Sequence, residues 1–351
     1  MTPTLKDALD RLTVEGALYE KLPDRSVRCV ACGHRCRIPE GGEGLCRVRV
    51  NRAGVLRVPF GYVATSLQLD PVEKKPFFHV LPGSATLSFG MLGCNFHCPF
   101  CQNWVTSQAL RDPAALAGPV RVTPELIVQR ALDHKAPSIT STYNEPLVTS
   151  EWAAAIFRLA KRHGLKTAFV SNGHATPEAL DYLRPWLDLC KVDLKGFDGA
   201  RYRRLGGELQ TVLDTISRLV RQRVWVEVVT LLVPGWNDGD PELRDIAQFL
   251  AGLSRDIPWH VTAFHPDYRV TDRPRTPAES LRRAAGIGEE AGLRFVYAGN
   301  LPGQAGSLEH TRCPACRTLL VERTGFRVTA SRVTPEGACP RCAAQIPGVW
   351  A

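Results

Sequence analysis

The fold is indicated most clearly by Leu87-Ser-Phe-Gly-Met-Leu-Gly-Cys94-Asn-Phe-His-Cys98-Pro-Phe-Cys101-Gln-Asn103. In this stretch an apolar, strand-like segment is followed by three cysteines with CxxxCxxC spacing. A closed tetrahedral zinc site or an ordinary cubane iron–sulfur cluster takes four protein ligands. A compact trio therefore predicts an iron–sulfur cluster with one iron open to an outside ligand, and with Phe100 beside that iron. The alternative is a structural metal site that borrows a fourth ligand, such as His97.

Length and composition indicate a globular protein. The 351 residues suit one α/β barrel of about 200 to 250 residues with small appendages. No apolar run reaches the roughly 20 residues of a membrane span, which excludes a membrane protein. The first residues lack a secretory profile, so we expect a cytoplasmic protein whose 12 cysteines are metal ligands rather than disulfides.

The formal net charge of +9 is compatible with an acidic partner. The basic residues are mostly arginines dispersed along the chain, with neither a polybasic block nor interleaved aromatic residues. A solvated basic surface is therefore favoured over a nucleic-acid interface.

A second cysteine group precedes the first and consists of Cys29, Cys32, Cys36 and Cys46. The glycine-rich stretch at 41–44 allows the backbone to fold back on these thiols. Four thiols can hold either zinc or a second iron–sulfur cluster, and their spacing does not choose between them. We interpret His34 as a supporting or surface residue rather than a fifth ligand.

After residue 101 the chain alternates strand-like and helix-like segments, which is typical of a parallel sheet or barrel. Beyond the cysteine strand, strands are predicted at 138–145, 166–173, 190–195, 223–233, 259–265 and 294–298. Helices are predicted at 4–19, 124–134, 150–163, 177–187, 200–222, from 241 onwards and at 277–291, and a β-hairpin is predicted at 48–58. Cys190, inside an apolar strand, is predicted to be a packing residue.

In parallel barrels the active site lies at the carboxyl ends of the strands. Polar residues stand at or just beyond several predicted strand ends, namely Glu145, Ser171, Asn172, Asp193, Lys195 and His265. The segment 70–79, rich in charged and aromatic residues, is predicted either to cover this site or to be a packed connector.

The tail contains a CxxC…CxxC pair formed by Cys313, Cys316, Cys339 and Cys342. This pattern is typical of a zinc ribbon, and we favour zinc over an iron–sulfur cluster there. We therefore divide the chain into a cysteine-rich N-terminal module at 1–85, a barrel at 86–300 and a zinc-ribbon-like tail at 301–351.

The CxxxCxxC stretch resembles the motif of the radical S-adenosylmethionine (SAM) superfamily. The resemblance implies a partial (β/α)6 TIM-like barrel and a [4Fe–4S] cluster held by Cys94, Cys98 and Cys101, whose open iron binds the SAM amine and carboxylate. It also implies reductive cleavage of SAM to methionine and a 5′-deoxyadenosyl radical, with flavodoxin or ferredoxin as electron donor. Tyr143-Asn-Glu145-Pro stands where the superfamily usually has Gly-Gly-Glu-Pro.

Other segments resemble the glycyl-radical-enzyme activases, the family of the pyruvate formate-lyase activating enzyme. Asp193-Leu-Lys195 and His265 match residues that surround the SAM methionyl end there, and 233–238 also resembles those enzymes. Glu145 would suit the SAM amine and ribose, and Lys195 or His265 the SAM carboxylate. The activases often carry Asp-Thr-Asn-Gly where this chain has Val170-Ser-Asn-Gly173, so a cation site built on that acid is expected to be altered.

Along nearly its full length the chain resembles the AmmeMemoRadiSam-system radical SAM enzymes, a branch related to those activases. The matching segments are 29–36 with 46–49, 70–79, 93–103, 142–146, 192–196 and 346–350. The resemblance implies association with Memo-like and AMMECR-like proteins. It leaves open a glycyl-radical activase and, from another class, a non-catalytic metal-rich module that binds RNA or protein.

Overall fold

The computed structural model describes residues 4–64 and 66–351. Residues 1–3, which belong to the predicted N-terminal module, and residue 65 lie outside the described residues. The chain forms two compact units. The first comprises residues up to 69, 86–190 and 199–224, and the second comprises 70–85, 191–198 and 225–351.

The helices and strands of the described residues alternate from residue 85 onwards, as the sequence predicts. The helices are α1 (Leu5–Asp10), α2 (Trp104–Ser107), α3 (Pro124–Asp133), α4 (Ser150–Arg162), α5 (Pro177–Leu183), α6 (Gly199–Arg204), α7 (Leu209–Arg221), α8 (Asp240–Leu253) and α9 (Ala278–Glu290). The strands before residue 100 are β1 (Thr13–Glu15), β2 (Tyr19–Lys21), β3 (Val27–Cys29), β4 (Arg37–Ile38), β5 (Val50–Arg52), β6 (Val55–Pro59), β7 (Tyr62–Ala64), β8 (Gln68–Pro71) and β9 (Ala85–Phe89). The later strands are β10 (Pro119–Arg121), β11 (Ser138–Ser141), β12 (Lys166–Ser171), β13 (Leu189–Asp193), β14 (Trp225–Leu232), β15 (Trp259–Ala263), β16 (Val296–Gly299), β17 (Thr311–Arg312), β18 (Leu319–Thr324) and β19 (Arg327–Ser331). None of the described helices combines the length and the apolar character needed to span a membrane.

In the first unit, β11 pairs in parallel with β9 on one side and with β12 on the other. The register places Ser141 opposite both Phe89 and Phe169, so the three strands end at one edge. Helix α4 covers these strands through Phe157, whose ring centroid lies 6.4 Å from that of Phe89 and 5.6 Å from that of Phe169. The loops that follow these three strands therefore all begin at the same edge of the sheet, directly after buried strands.

The predicted helix at 4–19 is wrong beyond α1. Thr4 caps α1 in a capping box with Asp7, and the helix ends at Asp10. The β-branched residues Thr13 and Val14 then pair antiparallel with β6. Backbone pairing with a distant strand therefore overrides the helical spacing of the leucines. The predicted hairpin at 48–58 is confirmed as β5 and β6.

The single helix predicted at 200–222 is also wrong, because α6 and α7 are separated by residues 205–208, two of which are glycines. Gly206 adopts a φ of +85°, which favours glycine. A Cβ on Gly207 would lie 2.1 Å from the Phe96 ring. The break thus allows the chain to approach the CxxxCxxC loop closely.

In the second unit, β14, β15 and β16 pair in parallel, and α8 and α9 lie in the connections. The tail forms a separate antiparallel sheet of β17, β18 and β19. The segment 70–79 is a packed connector within this unit, because Glu227 accepts backbone hydrogen bonds from Phe78 and His79 at 3.0 and 2.9 Å. Closure of the strands into a barrel remains a prediction.

Candidate functional site

Cys94, Cys98 and Cys101 lie on the loop between β9 and α2, just beyond the carboxyl end of β9. Burial raises the pKa of Cys94, and the charges of Glu145, Cys98 and Cys101 raise it further. The three thiols share this loop, but their sulfur atoms do not all lie within 4.8 Å of one another. The Phe96 amide donates a hydrogen bond of 3.3 Å to Cys94 Sγ, which fixes the first turn of the loop.

Two glycines allow neighbouring backbone to approach this loop. A Cβ on Gly90 would lie 2.5 Å from the carbonyl oxygen of Thr142. A Cβ on Gly93, whose φ is +93°, would lie 2.7 Å from Val48 Cγ1 and 3.0 Å from the carbonyl oxygen of Cys46. The segment that carries the last N-terminal cysteine thus packs directly against the CxxxCxxC loop.

The donor set of the loop fits an iron–sulfur cluster. Thiolates are the ligands that such clusters take. Cys98 and Phe100 are both buried, and Cys101 Sγ lies 3.2 Å from the Ser107 hydroxyl, a group that can hydrogen-bond to a sulfur ligand. The loop therefore offers three soft ligands, of which Cys98 is buried and Cys94 and Cys101 are partly exposed.

The loop after β11 is tied to the cysteine loop by Asn144. Its side-chain oxygen accepts a hydrogen bond of 3.0 Å from the Met91 amide, and its nitrogen donates to the Gly93 carbonyl at 3.3 Å. Tyr143 adopts a φ of +70°, a conformation that favours glycine. The backbone here therefore takes a path that suits glycine, the residue that the superfamily usually carries in this motif.

Glu145 connects the ends of two parallel strands. Its Oε1 accepts hydrogen bonds from the Ser171 hydroxyl at 2.7 Å and from the Leu147 amide at 3.0 Å. Its Oε2 accepts a hydrogen bond of 2.7 Å from the Asn172 amide. The carboxylate is buried, and these bonds hold it in one orientation.

Asn172 is engaged through both ends of its side chain. Its Nδ2 donates to Asn95 Oδ1 at 2.8 Å, and its Oδ1 accepts from the His174 amide at 3.0 Å. Asn95 belongs to the CxxxCxxC loop. Asn172, predicted as a cofactor-binding residue, therefore joins that loop to the end of β12.

The N-terminal cysteine group packs on the same region. The Gly33 amide donates to the His174 carbonyl at 2.9 Å, and His34 Nε2 donates to the Asn95 carbonyl at 3.1 Å. Burial raises the pKa of Cys32, and the charges of the other three thiols of this group raise it further. The sulfur atoms of this group do not assemble within 4.8 Å of one another, and His34 hydrogen-bonds to the CxxxCxxC loop.

The second unit carries the remaining predicted residues. Asp193 accepts a short hydrogen bond from Lys191, and Lys195 Nζ lies 3.6 Å from its Oδ2. Burial acts to raise the pKa of Asp193, but the two ammonium groups outweigh it and lower that pKa. Asn237, in the stretch 233–238, donates to the Lys195 carbonyl at 3.0 Å. The two motifs that resemble the activases are therefore in direct contact.

His265 is half-exposed in the loop after β15. Its Nε2 lies 3.7 Å from Asp267 Oδ2. Cys190 is buried in β13, as predicted for a packing residue.

The tail cysteines form a compact group. Among the described residues, the ligand atoms that lie within 4.8 Å of one another in such a group are those of Cys313, Cys316, Cys339 and Cys342. The Sγ atoms of Cys313 and Cys342 are 3.6 Å apart, and those of Cys316 and Cys339 are 3.7 Å apart. The predicted CxxC…CxxC group is thus assembled as a potential metal site.

Sequence reasoning missed several polar residues that shape the site, above all Asn95, Asn144 and His174. Asn95 and Asn144 stand inside the quoted motifs, so their positions were a usable signal. His174 carries no such signal, because its neighbours come from loops distant in sequence.

Comparison with known proteins identifies the family. The sequence model of the radical SAM superfamily matches residues 90–249. The chain is 41% identical over 315 residues to an uncharacterised protein of Methanocaldococcus jannaschii, MJ0808, covering 89% of this chain and 92% of that protein. It is 23% identical over 236 residues to the pyruvate formate-lyase 1-activating enzyme of Escherichia coli strain K12, covering 62% of this chain and 93% of that enzyme.

A solved radical SAM methyltransferase of Sphaerobacter thermophilus aligns with 65% of this chain and 71% of its own, at 18% identity and a TM-score of 0.47. The match to the superfamily model begins at Gly90 and includes the whole cysteine loop and β11 to β14. Together with the extended similarity to the M. jannaschii protein, this match decides the assignment. The chain belongs to the radical SAM superfamily of enzymes and has the α/β fold of that superfamily, with a cysteine-rich cluster at its C-terminus.

Proposed function

We propose that this enzyme cleaves SAM reductively and abstracts a hydrogen atom from a protein or small-molecule substrate of the AmmeMemoRadiSam system. The observation that carries the proposal is the loop after β9, on which Cys94, Cys98 and Cys101 follow directly on the carboxyl end of a parallel strand. Membership of the superfamily implies a [4Fe–4S] cluster and SAM as cofactors. The non-catalytic alternative is disfavoured, because the superfamily consists of enzymes.

When bound, the cluster and SAM supply an electron, a cleavable sulfonium and a hydrogen-abstracting radical. Cys94, Cys98 and Cys101 would hold the cluster, with the buried Phe100 ring beside it. The Ser171 hydroxyl and the Asn172 amide fix the Glu145 carboxylate. This carboxylate would accept hydrogen bonds from the SAM amine and ribose. Fixed hydrogen-bonding groups lower the cost of orienting a ligand.

The charged residues of the second unit are assigned to the methionyl end of SAM. Lys195 or His265 would pair with its carboxylate, and Asp193 orients the Lys195 ammonium through their ion pair. The resemblance to the activases supports these roles, as does the contact of Asn237 with the Lys195 carbonyl.

Zinc is the metal we propose for the tail. A tetrahedral site with Zn–S bonds of about 2.3 Å places its sulfur atoms about 3.8 Å apart. The observed separations of 3.6 and 3.7 Å match this value. The N-terminal thiols bind zinc or a second iron–sulfur cluster.

The family resemblance supports closure into a partial (β/α)6 barrel and electron delivery by flavodoxin or ferredoxin. The cysteine patterns support the three-domain division at residues 85 and 300, and we also propose a cytoplasmic location. Memo-like and AMMECR-like proteins are the proposed partners.

The test is SAM cleavage by the anaerobically reconstituted enzyme with dithionite. We expect 5′-deoxyadenosine from the native enzyme and none from Cys98→Ser. Cys190→Ala, which removes a buried thiol outside the cysteine groups, serves as the matched control and should retain cleavage. Cleavage by Cys98→Ser at the native rate would refute the proposal.

A glycyl-radical activase is the second candidate function, favoured by the similarity to the E. coli activating enzyme. Such an enzyme abstracts hydrogen from a backbone glycine of a large partner. Electron paramagnetic resonance of the reaction with a candidate partner separates the two functions. A glycyl radical on the partner selects the activase, whereas deuterium transfer from another substrate into 5′-deoxyadenosine selects the first function.

A further inference from the structure

A cavity of about 540 Å³ lies within the first unit, beside the CxxxCxxC loop. Small-molecule sites typically enclose roughly 300 to 1,000 Å³. The wall is formed by Asn95 and His97 of the loop, His34 of the N-terminal module, His174 after β12 and Arg203 of α6. None of the residues assigned above to the cluster or to SAM lines this cavity.

Two buried side chains in the wall have polar atoms without a partner among the described residues. Asn95 is 2% exposed and His174 is 1% exposed. Both ring nitrogens of His174 and the Nδ2 of Asn95 make no hydrogen bond there. Leaving a buried polar group without a hydrogen-bond partner is unfavourable, so a ligand that enters the cavity and hydrogen-bonds to these atoms is stabilised there.

The orientation of the Asn95 amide is fixed. Its Oδ1 accepts the hydrogen bond from Asn172 Nδ2 at 2.8 Å, which leaves the Nδ2 of Asn95 as a donor. The imidazole of His174 offers at least one N–H donor in any protonation state. The buried part of the wall therefore presents two donors, a pattern that suits the oxygen atoms of a ligand.

The charge of the lining is positive on balance. It contains three arginines and two glutamates, namely Arg47, Arg111, Arg203, Glu43 and Glu208. Glu43 is paired with Lys6, which lies outside the lining. Arg203 is exposed at the rim, where its guanidinium can reach an incoming anion.

The imidazoles of the cavity do not converge on one point. Within the described residues they do not belong to a group whose ligand atoms lie within 4.8 Å of one another. The Nε2 of His34 also donates its hydrogen bond to the Asn95 carbonyl. Donors and positive charge, rather than convergent ligands, characterise the site.

We propose that this cavity binds a small molecule bearing an oxyanion, a carboxylate or a phosphate, through Asn95, His174 and Arg203. Because Asn95 belongs to the cluster-binding loop, the ligand contacts the same loop that is proposed to hold the iron–sulfur cluster. Asn172 supports this ligand site by orienting Asn95 from the end of β12.

Isothermal titration calorimetry of the anaerobically purified full-length protein tests the proposal in Tris chloride buffer without SAM. The probes are sodium phosphate, sodium succinate and, as a cationic comparison, choline chloride. We expect saturable binding of phosphate or succinate with a stoichiometry of about one. Binding of phosphate alone identifies a phosphate ligand, and binding of succinate alone identifies a carboxylate ligand.

Two variants localise the binding. His174→Phe keeps a ring but removes both nitrogens, and should raise the Kd about tenfold. Arg203→Ala should raise it about threefold, whereas Arg204→Ala, at an exposed neighbour outside the lining, should leave it unchanged.

Absence of saturable anion binding would overturn the proposal, as would an equal loss in Arg203→Ala and Arg204→Ala. The arginine pair decides the question even where His174→Phe fails to fold. SAM cleavage is measured separately, so failure of the proposed function leaves this test unaffected.

Discussion

The Ser171 hydroxyl donates a hydrogen bond of 2.7 Å to Glu145 Oε1, joining the ends of two neighbouring parallel strands. Ser171 also accepts a hydrogen bond of 3.0 Å from the Gly173 amide. Its hydroxyl is thus committed to the protein. Ser171, predicted as a cofactor-binding residue, is best explained as a positioning residue that acts through Glu145.

Ser171→Ala should raise the KM for SAM about fivefold and leave kcat of SAM cleavage within about twofold. Loss of one hydrogen bond of about 1 kcal/mol to the Glu145 carboxylate explains this change. The matched control is Ser150→Ala, which removes another buried hydroxyl, bonded to the Leu147 carbonyl at 2.8 Å. The control should lose similar stability and keep its KM. A fall in kcat with unchanged KM in Ser171→Ala would contradict the positioning role.

Arg49 and Glu151 form a buried ion pair that anchors the N-terminal module to α4. Arg49 Nη2 lies 2.5 Å from Glu151 Oε1, and the side chains are 1% and 6% exposed. Glu151→Gln should lower the free energy of unfolding by about 3 kcal/mol, because it leaves a buried guanidinium without its counter-charge. Urea denaturation measures the change.

The control for that prediction is an exposed pair, Arg218 with Asp181, whose atoms are 2.7 Å apart. Asp181→Asn should change the free energy of unfolding by less than about 1 kcal/mol. Equal effects of the two substitutions would show that burial does not determine the strength of the Glu151 contact.

The buried imidazole of His79 should lower the free energy of unfolding on mild acidification. Burial lowers its pKa to about 4, although Glu227 acts in the opposite direction. Burial likewise lowers the pKa of His174 to about 3. Between pH 6.5 and 5 the unfolded chain therefore binds protons that the folded chain does not, so stability falls as the pH falls. Each histidine contributes up to about 1.4 kcal/mol per pH unit.

Urea denaturation between pH 7.5 and 5 checks this slope. His79→Gln should reduce it, whereas His134→Gln, at an exposed position, should leave it unchanged. A native slope that persists in His79→Gln would refute the assignment to that residue.

Removal of the tail metal should loosen the segment 72–80. Arg323 of β18 is buried, and it donates to the Phe78 carbonyl at 2.6 Å and to Thr311 Oγ1 at 2.8 Å. The Arg323 side chain therefore links the tail sheet to the segment 72–80. Cys339→Ala should lose one zinc ion per chain, and peptides spanning 72–80 should exchange their amide hydrogens faster.

Elemental analysis and hydrogen-exchange mass spectrometry measure the two effects of Cys339→Ala. Cys190→Ala is the control and should retain the zinc. Unchanged exchange in a zinc-free Cys339→Ala protein would contradict the coupling between tail and connector.

Apolar periodicity and a helix cap such as Thr123, whose side chain accepts a hydrogen bond from the Leu126 amide, are local signals. The order of strands and helices after residue 85 could therefore be predicted from the sequence. The sequence by itself also determined the CxxxCxxC motif, since its spacing is fixed in the chain. These local features were sufficient for the superfamily assignment.

The length of the first helix and the break in the predicted helix at 200–222 depend on tertiary contacts and could not be predicted from local sequence. Strand β1 forms because β6 is present to pair with it, and the break at Gly206 and Gly207 exists because the Phe96 ring occupies the space of a side chain. Both outcomes depend on partners distant in sequence.

Tertiary contacts also determine which polar atoms of four site residues are hydrogen-bonded within the protein. These residues are Asn95, Ser171, Asn172 and His174. A polar residue after a strand signals a site, but burial and hydrogen-bond geometry determine which polar atoms are committed to the protein and which are left to a ligand. Ser171 and Asn172 are committed, whereas His174 and one amide nitrogen of Asn95 are not. Sequence spacing fixes where a group stands along the chain, and packing fixes what it can bind.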